Sequence, residues 1–236
     1  KDPLTGPQSR FAALMLSPRG GSLRASATVG AGLPILAALE RAVVSGDTLL
    51  ALDARASGSL GHLCDRLSRG ILFDAAVRAA EEQGYTEPNP RLDLSGFDVA
   101  RKLLILARTA GLRAELSDVR VESLVPPGAD ALALDGFRAA LPEYAGFLAE
   151  RVEAARATGR VLRYVGRIAG DGALSAGLVD LPPAAPLARG SGPENVFLLR
   201  TARYDTYPMT IAGPGAGIGV TAGAVVADLL RALEVL

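Results

Sequence analysis

The sequence predicts an α+β fold in which helices cover an open, mixed and largely antiparallel sheet. Segments with helical periodicity fill most of the first two-thirds of the 236 residues, whereas β-rich runs concentrate in the last third. The two types of segment do not alternate regularly, as they would in the βαβ units of a parallel sheet. With 49% hydrophobic residues, the chain can bury one large core or two small ones.

Apolar residues recur at helical spacing in seven segments. In the second segment Pro34 lies in the first turn, where proline is tolerated, and in the sixth Pro142 is expected to break the helix. The segments are residues 8–16, 33–46, 60–68, 73–84, 95–111, 134–159 and 221–233.

Seven further runs are rich in β-branched residues or alternate between apolar and polar, which predicts strands. Between the fourth and fifth runs lies "GDG", residues 170–172, which is typical of a hairpin turn. Residues 181–194 are too rich in Pro, Gly and Ala for either element and predict a surface loop. The runs are residues 24–30, 48–56, 118–125, 160–169, 173–181, 195–204 and 208–213.

The charge balance and the cysteine content exclude several classes of function. Twenty-five Lys and Arg balance 25 Asp and Glu, and the absence of a basic run argues against a nucleic-acid partner. No apolar run approaches 20 residues, so no membrane span is expected, and a single cysteine, Cys64, favours the cytoplasm. Cys64 and the lone His62 match no metal-ligand or nucleophile spacing, so both are expected to be structural.

Chemistry-bearing residues gather in "GYTEPNPRLDLSGFDVARK", residues 84–102. In the helix predicted from Ser95, Asp98 and Lys102 are four residues apart and therefore project from one face. Two structural alternatives stand beside a functional one: Ser95 and Asp98 could form a capping box, or Asp98 and Lys102 could be a solvated pair worth about 0.3–0.5 kcal/mol. The predicted buried stripe is Phe97, Ala100, Leu103, Leu104 and Ala107, with Gly111 ending the helix.

The loop before this helix carries two more acids, Glu87 and Asp93, between rigidifying prolines. A concave acidic site with one lysine would bind an amine through its carboxylates and offer the lysine for proton transfer. Spacing alone leaves this hypothesis open against the two structural alternatives.

"GYTEPNPRLDLSGFDVARKLLILAR" resembles the signature stretch of homoserine dehydrogenases. Further stretches follow in the family's order, so that the resemblance covers essentially the whole chain. They are "ATVGAGLPIL", "ASGSLGHL", "LSDVRVESLVP", "ENVFLLRTARY" and "GPGAGIGVTAGAVVADLL". The resemblance implies the NAD(P)-dependent interconversion of L-aspartate 4-semialdehyde and L-homoserine, in the biosynthesis of threonine, methionine and isoleucine. It also implies a homodimer built through the sheet.

The resemblance also implies roles for individual residues. Glu87 and Asp93 would meet the amino end of the substrate, with the backbone of Gly84 nearby. Asp98 would bind substrate and Lys102 would donate a proton to the aldehyde oxygen. Lys1 corresponds to a second family lysine beside the nicotinamide, the alternative being a surface lysine.

A dinucleotide fingerprint is missing from the sequence. The only candidate, "GPGAGIG" at residues 213–219, has Ile218 or Val220 where the third glycine of G-x-G-x-x-G belongs. By resemblance, residues 1–212 form a substrate-binding, catalytic and dimerisation domain, and residues 213–236 return to a Rossmann-type domain outside this sequence. Gly217 would then contact the cofactor, NADP or NAD, unless it is simply a packing turn.

Two further points follow from the resemblance. Family members often hold a monovalent cation with backbone carbonyls that correspond to Val29, Ala31 and Leu33 and with a preceding glutamate. Ser26 stands at the glutamate position and contributes no charge, which argues against an occupied site. The alternative function is a non-catalytic ligand-binding or regulatory module derived from the same fold.

Overall fold

A computed structural model describes residues 1–16, 23–190 and 192–233, and within them one six-stranded sheet organises the chain. The spatial order of the strands is β2-β4-β3-β1-β5-β6. Every neighbouring pair is antiparallel except β2 and β4, which confirms the predicted mixed, largely antiparallel sheet. The strands are β1 (Leu49–Arg55), β2 (Val119–Val121), β3 (Val161–Ile168), β4 (Leu174–Leu181), β5 (Glu194–Thr201) and β6 (Met209–Pro214).

The helices cluster before β3, as the periodicity predicts. Two of them, α1 and α6, are single turns of four residues, too short for a periodic signal, and neither is among the predicted helices. The helices are α1 (Asp2–Thr5), α2 (Gln8–Leu16), α3 (Ile35–Val44), α4 (Gly58–Ser68), α5 (Phe73–Glu82), α6 (Arg91–Leu94), α7 (Phe97–Thr109), α8 (Leu134–Ala140), α9 (Ala149–Ala157) and α10 (Ile218–Ala232).

Two predicted elements are wrong in whole or in part. The run at 24–30 is not a strand, because it forms a 3-10 turn at Ser26–Thr28 followed by left-handed backbone at Gly30 and Ala31. The run at 118–125 yields only the short strand β2. The segment at 134–159 does break near Pro142, where a 3-10 turn, Leu141–Tyr144, separates α8 from α9.

Helix α7 packs across one face of the sheet and forms the centre of the core. Val99 and Leu103 contact the Cα side of Gly166 on β3, where a Cβ would come within 3.2 Å of Val99 Cγ1. Ala100, Leu103, Leu104 and Ala107 are all buried, as predicted. The prediction that Phe97 is buried is wrong, because the residue is 51% exposed. It lies in the first turn of α7, where it lines a cleft.

Gly111 ends α7 in the left-handed conformation, as predicted. Its φ is 87°, its N–H donates to Arg108 O, and the N–H of Leu112 donates to Ala107 O. This pattern is a Schellman motif, which satisfies carbonyls at the helix C-terminus.

The opposite face of the sheet is covered in part by the predicted loop. Residues 182–190 and 192–193 form this loop with one 3-10 turn, Pro186–Ala188, while the predicted end residues 181 and 194 belong to β4 and β5 and residue 191 lies outside the described residues. Leu187 packs there on Val165 and Val196. None of the helices in the described residues is long and apolar enough to span a membrane.

Candidate active site

Gly96 sets the entry into α7 and therefore the direction of the side chains in its first turn. The residue has φ 71° and links α6 to α7, so that the N-cap is Gly96 and not Ser95. The Ser95 hydroxyl instead donates to Leu92 O at 2.7 Å and accepts from the N–H of Phe97 at 3.2 Å. The capping box between Ser95 and Asp98 therefore does not form, and Asp98 is left free for other partners.

Asp98 brings two lysines together. Its Oδ2 lies 2.8 Å from Lys102 Nζ, and its Oδ1 accepts a hydrogen bond from Lys1 Nζ. Lys102 also donates to the backbone oxygen of Ala56 at 2.7 Å. The Lys102 side chain is only 13% exposed, against 45% for Asp98, so the solvated-pair alternative does not describe this arrangement.

Lys1 and Lys102 are the only lysines of the sequence, since the other 23 of the 25 basic residues are arginine. Both contact the same carboxylate, although 101 positions separate them. An arginine is effectively always protonated, whereas a lysine can release its proton when its surroundings lower its pKa. The chain thus has lysine at the one cluster where proton transfer is predicted.

The environment shifts the pKa of both partners. Burial lowers the pKa of Lys102 below its ordinary 10.5, and the charge of Asp98 offsets only part of that shift. Burial alone would raise the pKa of Asp98, but Lys102 and Lys1 together hold it below the ordinary 3.8. Asp98 is therefore a stable anion at neutral pH, and Lys102 is a stronger acid than a free lysine.

The acidic loop adjoins this cluster. Asp93 Oδ1 accepts from Ser59 Oγ at 2.7 Å and its Oδ2 accepts from the N–H of Glu87 at 2.8 Å, so both oxygens already have protein partners. The Glu87 carboxylate is exposed and accepts no hydrogen bond from the residues that the structure describes. The free acid of the pair is therefore Glu87, while Asp93 orients the loop.

A cleft of about 480 Å³ joins these groups. It is lined by Lys1, Glu87, Leu92, Asp93, Ser95, Phe97, Asp98 and Arg101. Four of the predicted site residues thus face one space, and Lys102 lies directly behind Asp98. Carboxylates at one end and an ammonium–carboxylate cluster at the other suit a small molecule with an amine and a reacting oxygen.

Two predicted residues are not brought to this cleft. Gly84 ends α5 with φ 69° and its N–H donates to Glu81 O, outside the cleft lining. Gly217 is the N-cap of α10, with φ 138°. Their contacts with substrate and cofactor stay predictions.

Sequence reasoning missed two contributors to the site. Ala56 acts through its backbone oxygen, which no residue type reveals, and Ser59 reaches Asp93 across 34 positions. Both lie in the "ASGSLGHL" stretch, which the family resemblance singles out without giving it a role.

The predicted cation turn contacts a carboxylate of α10, and its occupancy by a cation stays a prediction. Ser26 donates from its hydroxyl to Asp228 Oδ1 at 2.7 Å and from its N–H to Oδ2 at 3.0 Å, so its hydroxyl is already engaged. The carbonyl of Leu33 accepts from the N–H of Ile35 at 2.9 Å. Among the described residues no group of three or more His, Cys, Asp or Glu is placed to hold a metal ion.

Comparison with solved structures identifies the class of fold. A protein of unknown function from Candida auris matches with a TM-score of 0.90 and 34% identity, over 98% of this chain and 67% of that one. A homoserine dehydrogenase from Thiobacillus denitrificans matches with a TM-score of 0.73 and 25% identity, over 95% and 48%. A hyperthermophilic archaeal homoserine dehydrogenase in complex with NADPH shares the fold, with a TM-score of 0.65 at 23% identity over 89% and 55%. The sheet and its helices are thus those of a domain found in dehydrogenases.

Sequence comparison names the family. The profile described as homoserine dehydrogenase matches residues 34–230. The bifunctional aspartokinase/homoserine dehydrogenase of Haemophilus influenzae is 43% identical over 207 residues, and bifunctional aspartokinase/homoserine dehydrogenase 2 of Escherichia coli is 43% identical over 211. The chain belongs to the homoserine dehydrogenase family, a family of oxidoreductases. It spans about a quarter of the length of these two relatives.

Proposed function

We propose that the chain supplies the substrate-binding and proton-transfer part of an NAD(P)-dependent homoserine dehydrogenase. The reaction interconverts L-aspartate 4-semialdehyde and L-homoserine. The observation that carries the proposal is the largely buried Lys102, held between Asp98 and the Ala56 carbonyl. It lies behind Asp98, which lines a cleft together with a second lysine and a free carboxylate.

Lys102 is the proton donor in the direction of aldehyde reduction. A nicotinamide cofactor, when bound, supplies the hydride to the aldehyde carbon. Negative charge then develops on the aldehyde oxygen, and a positioned ammonium stabilises that charge and protonates the oxygen. Asp98 keeps Lys102 oriented, and Lys1 leaves the cluster with one net positive charge, complementary to an alkoxide.

The acidic loop binds the amino end of the substrate. We expect Glu87→Gln to raise KM for homoserine about tenfold with kcat nearly unchanged, because it removes one charge-assisted hydrogen bond from ground and transition states alike. Asp93→Asn should also raise KM and in addition lower Tm, because an amide cannot accept from both Ser59 and Glu87. Steady-state kinetics with the exposed Glu153→Gln as the control decides this, and an unchanged KM in both variants contradicts the assignment.

The proposal extends to the parts of the enzyme that meet this chain. Helix α10 exposes an apolar side that suits packing on a Rossmann-type domain, with Gly217 at its N-terminus near the cofactor. The exposed apolar residues on this side are Ile218, Val225, Val226 and Leu229 of the helix and Leu233 just after it. NADP or NAD would serve as cofactor, and a homodimer built through the sheet is part of the same proposal. We propose that no monovalent cation is required, because Ser26 itself brings no charge and the adjacent Asp228 carboxylate already accepts two hydrogen bonds from Ser26.

The cofactor requirement gives the direct test of this function. A protein that joins this chain to a nucleotide-binding domain should reduce NADP⁺ or NAD⁺ in the presence of L-homoserine. The 236 residues alone should fold yet show no turnover, because the groups that hold a dinucleotide's pyrophosphate are missing from the sequence and near-attack distances of roughly 3–3.5 Å could not be maintained. Absorbance of the reduced cofactor measures both. If the joined protein does not reduce NADP⁺ or NAD⁺ in the presence of homoserine, the proposed function is wrong. If the 236 residues alone turn over, the assignment of cofactor binding to a separate nucleotide-binding domain is wrong.

A further inference from the structure

Arg108, near the C-terminal end of α7, is a buried cation whose donors are all used. Nε and Nη2 donate to the carbonyl of Ala114 at 3.0 and 2.8 Å, and Nη2 also donates to Glu115 Oε2 at 3.2 Å. Nη1 donates to the carbonyls of Leu4 at 2.7 Å and Gly6 at 2.9 Å. A guanidinium has five N–H groups, so none remains for a ligand. Arg108 also lies about 15 Å along the helix from Asp98, too far to touch a reacting atom there.

The Arg108 bonds hold the segment that carries Lys1. Lys1 is the N-cap of α1, and its carbonyl accepts from the N–H groups of Leu4 at 2.9 Å and Thr5 at 3.1 Å. A displacement of Leu4 therefore displaces Lys1. The ring of Phe11, in α2, lies 5.0 Å from the Arg108 guanidinium carbon, which extends the contact beyond α1.

Glu115 completes the attachment on the same side. Its Oε1 accepts from the N–H of Gln8 at 2.7 Å while its Oε2 accepts from Arg108. The pair thus binds the backbone at residues 4, 6 and 8. Arg101 of α7 also contacts α1, through an ion pair with Asp2 and a hydrogen bond from Nε to Thr5 Oγ1 at 3.3 Å. Asp2 is 92% exposed, and exposed ion pairs contribute little. The bonds of the buried Arg108 are therefore a stronger attachment of the N-terminal segment to α7 than the contacts of Arg101.

We infer that Arg108, supported by Glu115, is a positioning residue that fixes Lys1 against Asp98. The inference rests on the proposed function for its catalytic consequence, but the attachment itself is independent of the reaction. Two effects of removing Arg108 are therefore expected. Turnover should fall only when Lys1 is present, and α1 should be held less firmly whether or not the protein is active.

A double-mutant cycle tests the catalytic consequence in the joined protein. Arg108→Met should lower kcat about tenfold with little change in KM for homoserine, and Lys1→Ala should lower kcat at least as much. In the Lys1→Ala background, Arg108→Met should then lower kcat by less than about twofold, because the lysine that Arg108 positions is already gone. Additive losses overturn the inference, as does a fully active Lys1→Ala variant beside an impaired Arg108→Met. Glu115→Gln is the milder variant for the same cycle if Arg108→Met does not fold.

Hydrogen exchange of the 236-residue chain tests the attachment without any assay of activity. The amides of Leu4, Thr5 and Phe11, which donate within the N-terminal segment, should exchange at least about tenfold faster in Arg108→Met, while amides of α5 keep their rates. The exposed Arg113→Met is the matched control and should change neither set. Unchanged exchange in the N-terminal segment overturns the inference even if the dehydrogenase activity is established. Faster exchange in a protein without that activity leaves the attachment standing and contradicts the proposed function instead.

Discussion

Lys102→Ala is expected to lower kcat for aldehyde reduction by at least about 100-fold in the protein joined to a nucleotide-binding domain. The variant removes the only lysine that the structure holds by both Asp98 and the Ala56 carbonyl. Lys1, on the other side of Asp98, cannot replace it without leaving its own position. Steady-state kinetics measures the loss, and near-normal turnover would contradict the proton-transfer role.

The control for this variant must account for burial. With 13% of its side chain exposed, Lys102 contributes packing as well as charge, so truncation to alanine leaves a small cavity. Lys102→Met keeps most of the volume and should lose as much activity with a smaller change in Tm. If the methionine variant recovers turnover, packing and not the ammonium is what the site requires.

The pH dependence gives an independent check on the same residue. Reduction needs protonated Lys102, so kcat should fall as pH rises through a pKa below 10.5, while homoserine oxidation, which needs the neutral amine, should change in the opposite direction. Asp98→Asn removes the charge that raises the pKa of Lys102 and should shift the pH profiles of both reduction and oxidation to lower pH. Because the sequence holds two lysines, selective ¹³C labelling gives two side-chain signals whose titration can be followed directly.

The sequence predicts the parts of the site that lie close together in the chain. Asp98 and Lys102 could be placed on one face of one helix from their spacing alone, and Gly111 marks the end of that helix in the structure as predicted. Strand segments with strong β propensity, such as β3 and β4, also form with their predicted hairpin pairing. In these cases local propensity and tertiary packing favour the same conformation.

Contacts between distant residues are harder to derive from sequence. The approach of Lys1 to Asp98 depends on buried bonds from Arg108 to carbonyls of Leu4 and Gly6, and backbone acceptors carry no sequence signal. The strand expected at 24–30 failed for a related reason: positive φ angles at Gly30 and Ala31 turn the chain there, and Ala31 gives no warning of such a conformation. Spacing could not predict the contact of Lys1 with Asp98, and the contact of Lys1 with the nicotinamide that the resemblance implies stays a prediction.

Gly96→Ala is expected to destabilise the chain more than any other single methyl addition near the site. A Cβ at this position would lie 2.0 Å from the hydroxyl oxygen of Tyr164 and 3.0 Å from Val121 Cγ1. Tyr164 cannot rotate away freely, because its buried hydroxyl donates to the carbonyl of Glu122 at 2.7 Å. We expect a loss of about 3 kcal/mol or more in the free energy of unfolding, from left-handed strain together with overpacking.

Gly111→Ala separates these two contributions. Gly111 has φ 87°, but a methyl group added there would meet no atom within 4 Å, so alanine should cost only the left-handed strain, about 1–2 kcal/mol. Tyr164→Phe combined with Gly96→Ala should recover part of the larger loss, because it removes the atom nearest the added methyl group. Urea unfolding of the 236-residue chain measures all three, and equal losses at positions 96 and 111 would show that Tyr164 does not confine the turn. Gly96 fixes where α7 begins, so alanine there should displace Asp98 and Lys102 together and move Lys102 away from the Ala56 carbonyl. The folded fraction of Gly96→Ala should therefore also turn over slowly once joined to a nucleotide-binding domain.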